Sequence, residues 1–168
     1  MDIKEAKIMG GVGSILTLLG FVPKVGWIVS IVGFVLLYLA IKKISEAVTR
    51  SEILSDFIKA IVLSIVSLII LIFGGGATLF GIITLMRSGF GLGIILFILG
   101  WIVAIMGSYF YYQALSKLGE STNVTNFKTA GLLIFIGYIL LIIGIGAIIV
   151  LVGKIFEIVS FFSLPDKI

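Results

Sequence analysis

Four unbroken apolar stretches constrain this chain more than any other feature. They run from Val25 to about Ile41, from Phe57 to Met86, from about Leu92 to Leu115 and from Thr129 to about Val152. A hydrocarbon core about 30 Å thick is crossed by about 20 apolar residues of α-helix. Inside it no water is present to satisfy backbone N–H and C=O groups, so runs of this length become helices. A shorter run, Ile8 to Val22, follows the charged segment Met1–Lys7. It resembles the leading regions of a signal peptide, but no small-residue cleavage site follows and Pro23-Lys24 leads directly into the next run. It therefore reads as a retained first span, about 22 Å long and extended by Ala6 and a snorkelling Lys7. The composition agrees: 61% of residues are hydrophobic and 12% charged, against about 45–50% and about 25% in soluble domains. The expected fold is all-α, a polytopic membrane protein of about five transmembrane helices forming a single integral membrane domain over residues 1–168.

An internal duplication organises these spans. Gly26–Glu46 aligns without gaps on Gly100–Glu120, with ten of 21 positions identical, among them Trp27/Trp101, Gly33/Gly107, Tyr38/Tyr112 and Lys43/Lys117. The chain then divides into a first span and turn (1–24), a first repeat hairpin (25–88), a second repeat hairpin (89–153) and an amphipathic or interfacial tail (154–168). Both copies start on the same side, as parallel repeats do. Within Phe57–Met86, Gly74-Gly75-Gly76 is a place where a helix can kink, end or receive a close neighbour; the stretch is counted as one span. Thr49-Arg50-Ser51-Glu52 has the pattern of a capping box.

Orientation follows from the basic residues. Lys4, Lys7, Lys42, Lys43, Arg50, Lys59, Lys117 and Lys128 fall on one side, and Lys24, Arg87, Lys154 and Lys167 on the other. The positive-inside rule then places the N-terminus in the cytoplasm of a cell-membrane protein and, with five spans, the C-terminus outside.

Much chemistry is absent. With no His and no Cys, imidazole and thiolate metal sites, thiol nucleophiles and disulfides are excluded. No catalytic residue, cofactor or metal site is expected. The net charge of +4 sits at span ends, which suits membrane lipids as partners and not nucleic acid. No charged residue falls at the expected midplane of a span. Lys154 and Glu157, at i, i+3 near the end of the last helix, read as a structural or interfacial pair. Gly10-Gly11-Val12-Gly13-Ser14 lacks the strand and the lysine of a phosphate loop. Gly10 with Ser14, and Gly13 with Thr17, are small residues at packing distance along a helix, as are Gly26 with Ser30 and Gly100 with Ala104 and Ser108. Such stripes hold together either the helices of one chain or copies of it. Ser64, Ser67, Thr78 and Thr84 are the candidates for a polar path through the third span, although mid-span hydroxyls commonly bond their own backbone.

The opening DIKEAKIMGGVGSIL, the loop KKISEAV and the ending FEIVSFFSLPDKI resemble a largely archaeal family of multi-pass membrane proteins catalogued as domain of unknown function 996. The resemblance covers nearly the whole chain. It implies an archaeal cell membrane and an all-helical fold, and carries over no site residues. The expected role is a non-enzymatic protein acting through helix packing, as a homo-oligomer or a small accessory subunit of a membrane complex. The second reading is a small transporter or channel with a pathway at the repeat interface.

Overall fold

A computed structural model describes residues 3–84 and 87–167, without the side chains of Phe21 and residues 80–90. Among the described residues six helices follow one another: α1 (Lys4–Leu18), α2 (Gly26–Ala47), α3 (Ser51–Thr84), α4 (Arg87–Thr122), α5 (Asn126–Ile139) and α6 (Gly146–Phe162). Short 3₁₀ turns, Leu19–Phe21 and Leu140–Ile143, finish α1 and α5. Among the described residues, four segments are long and apolar enough to cross a bilayer: Gly26–Ala47, Ser51–Leu79, Gly91–Thr122 and Asn126–Ile143. The protein is an all-α polytopic membrane protein.

The helices pack most extensively as antiparallel hairpins, α1 with α2, α3 with α4 and α5 with α6. Glycine makes the closest approaches. A Cβ on Gly13 would lie 2.8 Å from the carbonyl oxygen of Gly33, and one on Gly146 would lie 2.1 Å from that of Gly137, so any side chain there would drive the backbones apart. The hairpins join through α4–α5 and α1–α6, and more sparsely through α2–α3. The segments aligned in the sequence lie on α2 and α4, while the densest hairpins cut across the 25–88 and 89–153 units.

Three expectations need correction. The run Thr129–Val152 is not one span. Gly144, at φ 83°, turns the chain in a left-handed conformation that favours glycine, and α6 returns along α5. The C-terminus therefore lies beside the N-terminus: the Ile3 N–H donates to the Asp166 carbonyl at 3.0 Å, and Lys7 pairs with Asp166 at 3.2 Å. The segment from Lys154 is accordingly no interfacial tail; most of it is the second half of α6, with Glu157, Ser160 and Phe161 buried. Nor does Thr49 cap α3. It sits at φ 55°, the helix starts at Ser51, and Glu52 approaches Arg50 and Lys117 instead. The helix α3 continues through Gly74–Gly76.

The core lies at the end that holds the termini. Leu37, Ile41, Ile44, Ile53, Phe57, Leu115, Leu118, Phe127, Phe161 and Leu164 are all buried there. Ion pairs close the same end. Lys117 reaches Asp56 at 2.6 Å, Arg50 reaches Glu120 at 3.7 Å, and Lys43 pairs with Glu5. Toward the opposite end the helices turn large apolar side chains outward, Trp27, Ile72, Phe73 and Ile143 among them. That surface suits lipid.

Candidate functional site: a buried charge pair beside an internal cavity

Alongside α1, the return of α6 carries Glu157 into the bundle. Its carboxylate is fully buried (0% exposed). Three donors hold it: Ser14 Oγ of α1 to Oε1 at 2.8 Å, Tyr111 Oη of α4 to Oε1 at 2.9 Å, and Lys154 Nζ of α6 to Oε2 at 2.9 Å. Lys154 Nζ also donates to Tyr111 Oη at 3.2 Å and lies 4.9 Å from the centre of that ring. Ser14 lies ten residues along α1 from Lys4, and Tyr111 eleven before the end of α4. At about 1.5 Å per residue those two positions lie about 15 Å in from the charged end, while on α6 itself Lys154 lies about 12 Å and Glu157 about 8 Å from the end at Phe162. An isolated ion there would be penalised by several kcal/mol, so the opposite charge and the hydroxyls are a condition of burying either.

The network is one-sided. Glu157 is enclosed by its donors, while Lys154 faces a cavity of about 80 Å³ bordered by Ala60, Ser64, Ser108, Tyr111 and Tyr138. An ammonium has three donors; two are engaged, and the third has no partner among the described residues. Neither the Ser64 hydroxyl nor the Tyr138 hydroxyl has a hydrogen-bond partner among them. Two further hollows adjoin. One, of about 210 Å³, lies between α3, α4 and α5 against Ser67, Trp101, Ala104 and Tyr138. The other, of about 660 Å³, is a groove between α2 and α3 lined by Trp27, Ile31, Phe34, Val35 and Ile65. Ser64 borders all three.

The residues singled out in the sequence fall into distinct settings. Gly10 takes the ring of Phe161, Gly13 meets Gly33, Gly26 seats the α1–α2 turn against Gly20, and Gly100 receives Leu71. These contacts are all made within one chain. Ser14 is a ligand of the carboxylate and not a packing residue alone. Ser30 and Ala104 line the groove and the second hollow. Ser108 borders the central cavity while bonding the Ile105 carbonyl. Ser64 is the one hydroxyl of the proposed path common to every hollow. Ser67 ties α3 to the Gly100 carbonyl of α4 at 2.8 Å, and Thr78 bonds the Gly74 carbonyl of its own helix. The Thr84 side chain lies outside those described.

Sequence reading left Lys154, Glu157 and Tyr111 out of any site. In the sequence the charged pair reads as lying at the end of a fifth span. Their i, i+3 spacing was the available signal; without the turn at Gly144 it pointed to an interface.

Residues 29–155 match the family described as "Protein of unknown function (DUF996)". The chain belongs to this family. The DUF996 match begins within α2 and ends in α6, taking in Lys154 and Tyr111 but not Ser14 or Glu157. A relative from the archaeon Methanocaldococcus jannaschii, named "Uncharacterized protein MJ1644", is 38% identical over 176 aligned positions, covering all of this chain and 96% of its own length. No solved structure matches the chain significantly.

Proposed function

We propose that this DUF996 protein is a small, non-enzymatic membrane transporter whose ligand site is the central cavity beside Lys154. The carrying observation is the Lys154–Glu157 pair, about 8–12 Å in from the end of α6, with two ammonium donors engaged and Lys154 in the lining of a cavity. Ionisable groups buried in membrane bundles commonly mark substrate or ion pathways. The unbonded Ser64 and Tyr138 hydroxyls supply orienting contacts of the kind a ligand pocket uses.

On this reading the termini face the cytoplasm of the cell membrane. The return of α6 adds Lys167 to the end already holding eight basic residues and leaves Lys24 and Arg87 at the other, in keeping with the positive-inside rule.

The test is a gentle purification from the protein's own membranes, followed by extraction and weighing of small molecules held by the chain. A near-stoichiometric compound is expected, lost from a Ser64→Phe variant that fills the meeting point of the hollows yet melts like the parent. An empty protein indistinguishable from that variant would contradict the proposal. Packing as a homo-oligomer or accessory subunit is the second reading. Its supporting observation is that a Cβ on Gly75 or Gly76 would meet nothing within 4 Å among the described residues; particle mass measured in the same preparation decides it.

A further inference from the structure

The cavity's way in is visible in the arrangement of helices. Beyond the loop that joins them, α2 and α3 separate, and the groove between them opens sideways through exposed apolar residues: Trp27, Ile31, Val35, Ile65 and Leu68. Such a surface faces acyl chains, not water. The groove shares Phe34, Ile61 and Ser64 with the central cavity, so the apolar groove adjoins the cavity beside its hydrogen-bond donors.

Those donors select a head group. Lys154 offers one free N–H, and Ser64 and Tyr138 each offer an O–H. The neighbouring charges already cancel, because Glu157 stands behind Lys154 at 2.9 Å. The other elements that wall the cavity bring Phe34 and Ile61, Gly107 and Tyr111, Ile134 and Val150, and among the described residues no further ion lines it. An anionic head would leave an unbalanced negative charge deep in a low-dielectric interior, which is strongly unfavourable. A phosphate head would also have to leave the interface for the level of Lys154, about 12 Å in from the end of α6. An uncharged carbonyl acceptor meets neither penalty.

We infer that the α2–α3 groove admits, laterally from the bilayer, a lipid-soluble compound with an uncharged carbonyl head. Its apolar tail lies along the groove, and a carbonyl oxygen of its head accepts hydrogen bonds from Lys154, Ser64 and Tyr138. This inference rests on the central cavity being a ligand site and adds the chemistry and route of the ligand. Only binding is proposed, with no change in the redox state of the head.

The chain's two tryptophans make the test direct, since Trp27 lines the groove. In lipid nanodiscs carrying the Trp101→Phe protein, a benzoquinone with a ten-carbon tail should quench Trp27 fluorescence along a saturable curve. A Ser64→Val, Tyr138→Phe double variant that melts like its parent should bind about tenfold more weakly, the loss expected for two neutral hydrogen bonds removed from a partly compensating site. Lys154→Met should weaken binding further; the double variant decides the matter if that protein fails to fold. Quenching that rises linearly with probe in the membrane and is identical in the variants would overturn the inference. So would equal competition from the alkyl chain without its ring, or tighter binding of decanoate. Each of those outcomes leaves untouched the separate question of whether a native compound is retained in the cavity, which tests the transporter proposal itself.

Discussion

Two seams join the first hairpin to the rest of the bundle, and they are built in opposite ways. The α1–α6 seam is closed. Gly10 and Gly11 accept the rings of Phe161 and Phe162, Ser14 reaches Glu157, and the chain ends are tied through Ile3, Lys7 and Asp166. The α2–α3 seam makes sparser contact and opens into a groove of about 660 Å³. In lipid no hydrophobic drive pulls helices together, so a seam closes only where small residues permit close packing or polar groups bond across it. The first seam has both. Along the second, α2 presents Ile31, Phe34 and Val35 to Ile61, Ile65 and Leu68, side chains that lipid covers equally well.

The comparison can be broken or sharpened by substitution. The largest effect is expected from Lys154→Met, which leaves a buried carboxylate unpaired. A loss of about 3–5 kcal/mol in unfolding free energy should result, read from denaturant titration in mixed micelles. Replacing both partners, as Lys154→Met with Glu157→Leu, should recover most of that loss, because two apolar groups need no compensation. A double variant as unstable as the single would mean that the pair's hydrogen bonds to Ser14 and Tyr111 matter more than its charge balance.

Gly10→Leu comes next. Its Cβ would fall 2.1 Å from Phe161 Cδ1, and that ring is buried edge-on against Phe127 at 4.9 Å. A loss of about 2–3 kcal/mol is expected from overpacking the closed seam. Ser14→Ala should be milder, about 1 kcal/mol, since it removes one of three donors to Glu157 and membrane hydrogen bonds are individually modest. The smallest effect belongs to the open seam: Val35→Ala, at a position 53% exposed, should change stability by less than about 0.5 kcal/mol. Thermal melting of the set in one detergent ranks them, and a Val35→Ala effect matching Gly10→Leu would erase the distinction between the seams.

How much was legible in the sequence differs along the chain in the same way. Polar punctuation marks the α1–α2 turn at Pro23-Lys24, the α2–α3 loop at Lys42–Glu52 and the α4–α5 loop at Ser116–Lys128, and helices end there. The α5–α6 turn has none. Its residues, Leu140-Leu141-Ile142-Ile143-Gly144-Ile145-Gly146, are apolar throughout. Gly144 carries the reversal, but glycine is frequent inside membrane helices and does not by itself announce a turn. Missing that reversal displaced Lys154 and Glu157 to an interface and hid the site. The candidate hydroxyl Ser64 was legible as a polar residue in mid-span; that it borders three hollows depends on the separation of α2 from α3, which no local pattern encodes.

The claim that the α2–α3 seam stands open to the bilayer is tested most directly by a nitroxide placed at Phe34 through Phe34→Cys. The chain's lack of native cysteine makes such labelling clean. In nanodiscs the label should collide readily with dissolved oxygen and hardly at all with a water-soluble nickel chelate, as a group in contact with lipid does. A label immobilised and shielded from both would show α2 and α3 packed together, and would contradict a lateral entrance to the cavity.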